Sequence, residues 1–161
     1  MRSYNLSKQV FQMKRSKNPK KFLSDDELYR VVTKIEAAES MTSAEIKLII
    51  VKHCLTSIKR KALKLFKKFK LDQSVQRNCV LILLVTTNRQ FLIYGDKGIH
   101  EKVGQDFWEK IEESITMKFK ENKMGDGLSA GIHLIGTRLA HYFPFQFDDV
   151  NEISDDVVFE N

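Results

Sequence analysis

Cys79-Val80-Leu81-Ile82-Leu83-Leu84-Val85-Thr86-Thr87-Asn88-Arg89-Gln90-Phe91-Leu92-Ile93-Tyr94 reads as an unbroken apolar run, a short polar turn and a second apolar run. A strand that is apolar throughout is covered on both faces, so residues 79–86 predict a central strand. The short connection makes a hairpin, and the next strand, residues 91–94, runs antiparallel to it.

Upstream, Glu45-Ile46-Lys47-Leu48-Ile49-Ile50-Val51 is short and β-branched, a further strand. Between it and the central strand, Ser57 is an N-cap candidate. Ile58, Ala62, Leu65, Phe66 and Phe69 then make one helical stripe, while Lys59, Arg60, Lys61, Lys64, Lys67, Lys68 and Lys70 cover the rest. A helix crossing between two strands makes them a parallel pair. Earlier still, Ser24-Asp25-Asp26-Glu27 has the pattern of a capping box, followed by a stripe of Leu28, Val31, Val32, Ile35 and Ala38 running to about Glu39. Downstream, Gly95-Asp96-Lys97-Gly98 reads as a loop. Phe107, Trp108, Ile111, Ile115 and Phe119 mark a third helix, and Leu128, Ile132, Ile135 and Leu139 a fourth, with Gly125-Asp126-Gly127 as the expected turn between them. Pro144 ends the helical region, and Val157-Val158-Phe159 offers a weak edge strand. This order predicts an α/β domain with helices on both faces of a small mixed sheet.

The composition agrees. Of 161 residues, 42% are hydrophobic and only 7 are Gly and 2 Pro, which excludes a low-complexity chain and supplies enough apolar surface for one core. Two Cys exclude a disulfide scaffold. The run 80–85 is far shorter than the roughly 20 residues of a membrane helix, and no apolar signal core opens the sequence, so a cytoplasmic protein without a membrane partner is expected. Net charge is +6. The last fourteen residues hold six acids and no Lys or Arg, so residues 1–147 carry +12. Three regions are expected: a basic extension over 1–21, frayed or docked, a body over 22–147, and an acidic tail over 148–161 that either folds back on the body or stays solvated.

Parallel pairing followed by a hairpin brings the start of the first strand, the start of the second and the end of the third to one edge. Glu39, Thr42 and Glu45 are thereby placed beside the loop 71–78, which carries Asp72, and beside the segment 95–101, which carries Asp96. Carboxylates from separate connectors converge. A divalent cation bound by oxygens is one way to compensate them, calcium or magnesium fitting better than zinc because no His or Cys pair has zinc-ligand spacing. The alternative is structural: Asp96 shapes a turn, Glu39 caps a helix, and Lys97 or Arg77 pairs with them.

Ile35-Glu36-Ala37-Ala38-Glu39 with Thr42-Ser43-Ala44-Glu45-Ile46, Arg77-Asn78-Cys79-Val80-Leu81, Tyr94-Gly95-Asp96-Lys97-Gly98-Ile99 with Phe107-Trp108, and Gly127-Leu128-Ser129-Ala130-Gly131-Ile132 with Phe143-Pro144 resemble the TPM domain family. The name joins thylakoid lumen protein, photosystem II repair protein and modulator of levamisole receptor, and the likeness is to the stand-alone bacterial branch. The resemblance implies a three-layer αβα sandwich around the mixed sheet, with crossing loops at one edge held by one or two divalent ions, usually calcium with magnesium possible. It also implies a link to acid phosphatase activity and to larger assemblies. By the same resemblance Glu39, Asp72, Asp96, Glu101 and Asp106 are the metal candidates. Ala44 and Cys79 depart from it, standing where that branch usually has Gly.

The function expected is a metal-binding module whose loop order, and surface for an unidentified protein partner, follow occupancy. A monomer is expected. The alternative is metal-assisted phosphomonoester hydrolysis at the same loops. Cys54 and Arg60 have the Cys-x5-Arg spacing of a tyrosine phosphatase loop, but that loop contains no Gly, and a spacing without its context is weak. The basic helix could contact nucleic-acid phosphates, yet Phe66 and Phe69 fall on its buried stripe and leave nothing to stack bases.

Overall fold

The computed structural model describes residues 3–5, 15–147 and 157–161. The elements are β1 (Ser3–Asn5), α1 (Pro19–Phe22), α2 (Asp25–Glu39), β2 (Glu45–Val51), α3 (Ile58–Lys68), a 3-10 turn (Leu71–Gln73), β3 (Cys79–Val85), β4 (Gln90–Gly95), α4 (Lys97–His100), α5 (Gln105–Lys120), α6 (Met124–Tyr142) and β5 (Val158–Glu160). The strands form one mixed sheet in the order β1-β4-β3-β2-β5. β2 is parallel to β3 and β5, while β4 is antiparallel to β3 and β1.

Side-chain alternation divides the core into two faces. Ile46, Leu48, Ile50, Val80, Ile82, Leu84, Phe91 and Ile93 point to the layer of α2, α5 and α6, where Val31, Ile35, Ile111, Ile115, Phe119, Leu128, Ile132 and Ile135 meet them. Ile49, Val51, Leu81, Leu83, Val85 and Leu92 point the other way, against Ile58, Ala62, Leu65 and Phe66 of α3. The result is the three-layer αβα sandwich. Each fully buried Leu, Ile or Phe contributes roughly 1.5–3 kcal/mol of transfer free energy.

Local signals start the helices as the sequence predicts. Ser24 Oγ accepts from the Glu27 backbone N–H at 3.1 Å, and the Glu27 carboxylate accepts from the Ser24 N–H at 2.9 Å, closing the capping box. Ser57 caps α3 by accepting from the Arg60 N–H. Two readings are corrected. Gly125, Asp126 and Gly127 lie inside α6, and the turn is one position cluster earlier, at Asn122, whose φ is 59°. Of the loop read at Gly95-Asp96-Lys97-Gly98, the last two residues open the short helix α4, capped by Asp96.

The ends of the chain join the body. Arg15, within the expected extension, donates to Glu27, to the Phe22 carbonyl and to Asn122, tying the start of α2 to the α5–α6 turn. Glu160 of β5 lies 3.6 Å from Lys61 and 3.5 Å from Lys68, so this part of the acidic tail folds back on the basic helix. The other tail acids, Asp148, Asp149, Glu152, Asp155 and Asp156, lie outside the described residues. Among the described residues no helix is long and apolar enough to cross a membrane.

Candidate functional site at the crossing loops

The sheet register makes the predicted rim. Glu45 pairs with Cys79 and Val80 with Gly95, so β2 and β3 start where β4 ends. Two connectors meet there. The first runs from the 3-10 turn to β3, with Lys70 and Arg77 at positive φ (55° and 52°). Ser74 Oγ accepts from the Asn78 N–H at 3.2 Å, and Gln76 Nε2 and Asn78 Nδ2 donate to Ser43 Oγ at 3.1 and 3.3 Å. The second connector is Gly95-Asp96 with α4. Its Gly98 N–H donates to the Arg77 carbonyl at 2.9 Å.

Asp96 is buried, 1% exposed, and holds three donors. Arg77 grips it with a fork, Nε to Oδ2 at 2.6 Å and Nη2 to Oδ1 at 2.9 Å, and the Lys97 N–H donates to Oδ1 at 2.8 Å. Asp96 is therefore both the cap of α4 and the anchor of the facing loop. Asp72 is close enough that its charge, after the hydrogen bonds and charge of Asp96, helps hold the Arg77 guanidinium protonated above its ordinary value. Burial pushes the Tyr94 phenol up, and the charges of Asp96 and Asp72 add to this against the opposing Arg77. One carboxylate oxygen of Asp72 is buried and accepts no hydrogen bond from the described residues.

The other candidates have separate surroundings. Glu39 Oε1 accepts from the Ile46 N–H at 2.8 Å, fastening the end of α2 to the start of β2. Glu45 is buried on β2. Glu101 is exposed at the C-cap of α4. Asp106 is exposed in the first turn of α5, on a groove shared with Lys110 and Arg138. Among the described residues no three His, Cys, Asp or Glu side chains stand together as a ready ligand set. The structure brings Asp72 and Asp96 together around Arg77, the partner that the structural alternative named.

His100 lies edge-on to Tyr94 and tilted to Trp108, with ring centroids 6.0 and 6.1 Å away, and the partial desolvation there pushes its imidazole below the ordinary value. Away from the rim, Cys54 is buried and its thiol donates to the Thr56 carbonyl at 3.0 Å, while Ser57, not Cys54, caps α3. This is not the geometry of a phosphate-cradling thiolate. Phe66 is buried and Tyr94 meets it edge-on at 4.9 Å, so the lysine face of α3 offers no aromatic platform from that ring.

A family model described as TPM domain matches residues 16–138. Among solved structures the chain is similar to the NMR structure of the BA42 protein from the psychrophilic bacterium Bizionia argentinensis. The TM-score is 0.81 and the identity 35%, over 86% of this chain and 95% of that one. A comparison with curated proteins finds no match.

Proposed function

Because the chain belongs to the TPM domain family, we propose that it is a cation-responsive binding module whose crossing loops exchange the Arg77 guanidinium for a divalent cation of the calcium type. The observation that carries this reading is the pairing of a buried Asp72 oxygen, which accepts no hydrogen bond from the described residues, with a buried Asp96 held in the fork of a half-exposed Arg77. Asp72, Asp96 and Arg77 sum to a charge of −1, and a buried carboxylate oxygen without a donor is costly. Hard carboxylate oxygens suit calcium or magnesium. Asp72 and Asp96 would hold the ion, which when bound would supply two positive charges between the carboxylates where the guanidinium supplies one. Asp96 then gives up Arg77 while keeping the Lys97 N–H, so α4 stays capped. The freed guanidinium, on the loop that also carries the exposed Val75, alters the surface offered to a protein partner.

The linkage has a size. A ligand that binds the folded loops alone stabilises by about 2.7 kcal/mol at one hundred times its Kd, which for a chain of this length raises Tm by roughly 5–10 °C. Calorimetric titration of chelator-treated protein with calcium and with magnesium tests this. Binding should weaken at least tenfold in Asp96→Asn and in Asp72→Asn, and tighten severalfold in Arg77→Gln, which removes the internal competitor. Absence of both heat and Tm shift at millimolar calcium refutes the module. A phosphomonoester assay on the same proteins separates the enzymatic alternative: turnover lost in Asp96→Asn and kept in Cys54→Ser assigns hydrolysis to this rim.

A further inference from the structure

A second candidate site lies between α5 and α6. α5 and α6 are joined by a tight turn at residues 121–123, so the first half of α5 lies against the last half of α6. Between them runs an open groove of about 740 Å³, in the range of small-molecule sites. Its walls are two helical stripes: Phe107 and Lys110 from α5, and Leu134, Arg138 and His141 from α6. Leu134 is 40% exposed and Phe107 partly buried, so part of the groove is apolar surface left open to solvent.

Its polar lining is Gln105, Asp106, Lys110, Thr137, Arg138 and His141, with two cations against one carboxylate. Neither Lys110 nor Arg138 makes an ion pair with a described residue. Arg138 is steadied instead by the Tyr142 ring, whose centroid is 5.6 Å from its Cζ. The same groove contains one opposing carboxylate, Asp106. At its end the first turn of α5 has no side-chain cap, because the N-cap is Gly104, and a Cβ there would meet nothing within 4 Å. We propose that this groove binds a small amphipathic anion, a single phosphate or carboxylate head on an apolar body. Lys110 and Arg138 take the head by charge-assisted hydrogen bonds, and Phe107 and Leu134 take the body. Asp106 limits the ligand to one anionic head, since a polyanion would bring further charge against it.

Amide chemical-shift titration with phenyl phosphate, octanoate and inorganic phosphate tests the assignment on the full chain. Shifts should concentrate at residues 104–111 and 134–141, with phenyl phosphate or octanoate binding at least fivefold tighter than inorganic phosphate. Which of the two binds identifies the head. Lys110→Gln and Arg138→Gln should each weaken binding at least fivefold, and Asp106→Asn should tighten it two- to threefold. Asp96→Asn should leave it unchanged, which separates this groove from the cation rim. The proposal fails if shifts are absent at millimolar ligand, if they concentrate elsewhere, or if the Lys110 and Arg138 variants bind like the parent chain.

Discussion

Gly98→Ala should melt roughly 6–12 °C below the parent chain and lose most of its response to calcium. A Cβ at this position would stand 2.2 Å from the Gln76 carbonyl oxygen and 2.8 Å from that of Arg77. These are backbone atoms of the facing loop, so no rotamer change relieves the clash. The loop must retreat, which breaks the Gly98 N–H bond to the Arg77 carbonyl and drags the Arg77 fork off Asp96. Overpacking of this kind costs about 3 kcal/mol, and each kcal/mol moves Tm by about 2–4 °C at this chain length. Gly104→Ser is the control: its new side chain enters open space and supplies a missing cap, so it should be neutral or stabilise by a few tenths of a kcal/mol. Thermal melts of both variants, with calcium and with chelator, check the claim, and equal melting of the two would contradict it.

The other large effect is expected at Arg15→Ala, a loss of about 3–4 kcal/mol. The Arg15 guanidinium donates through Nε to Asn122 Oδ1 at 2.7 Å, and through its two Nη to both Glu27 oxygens at 2.7 Å, to the Phe22 carbonyl at 2.9 Å and to the Asn122 carbonyl at 2.8 Å. Every donor of the fork is used. Removing it strands a Glu27 carboxylate that is only 12% exposed, and breaking a buried pair from one side costs more than the pair contributes. Acid should expose the same node. Burial works against ionisation of Glu27, but hydrogen bonds from Arg15 and the Ser24 and Gly125 backbone, with the Arg15 charge, outweigh it and hold its pKa at about 2. A depressed carboxylate stabilises the fold above its unfolded value near 4.5, and this contribution, about 3 kcal/mol, is lost as pH falls toward 2. Urea unfolding between pH 6 and 2 should therefore show a flatter decline in Arg15→Ala than in the parent. Parallel declines would assign the acid sensitivity to other carboxylates.

What the sequence made legible follows from range. Ser24 and Glu27 declare a helix start within four residues, and strands β2, β3 and β4 declare themselves by apolar runs and a short turn. Features that depend on partners far along the chain carried no such mark. Arg15 reads as one more basic residue near a polar end, because Glu27 and Asn122, 12 and 107 positions away, leave no local pattern. α4 was hidden for a different reason: four residues give no helical period, and its cap Asp96 looks like any turn aspartate. Gly125 and Gly127 suggested a turn, but their lack of a side chain admits Glu27 and Phe119 against α6, with a Cβ at either meeting them within about 3 Å. The convergence of Asp72 and Asp96 followed from strand topology alone. Their occupant, Arg77, appeared in the sequence only as one of two possible basic partners.

β1 and β5 are three residues each, yet they occupy both outer rims of the sheet, β1 along β4 and β5 along β2. Without β5, the Lys52 N–H that donates to the Glu160 carbonyl and the other backbone groups on that side of β2 become a bare template at the margin of a strongly apolar strand. Trimming Val158–Glu160 should therefore turn a well-behaved solution into one that seeds fibrils or trades strands between molecules, which light scattering would register long before any loss of helix.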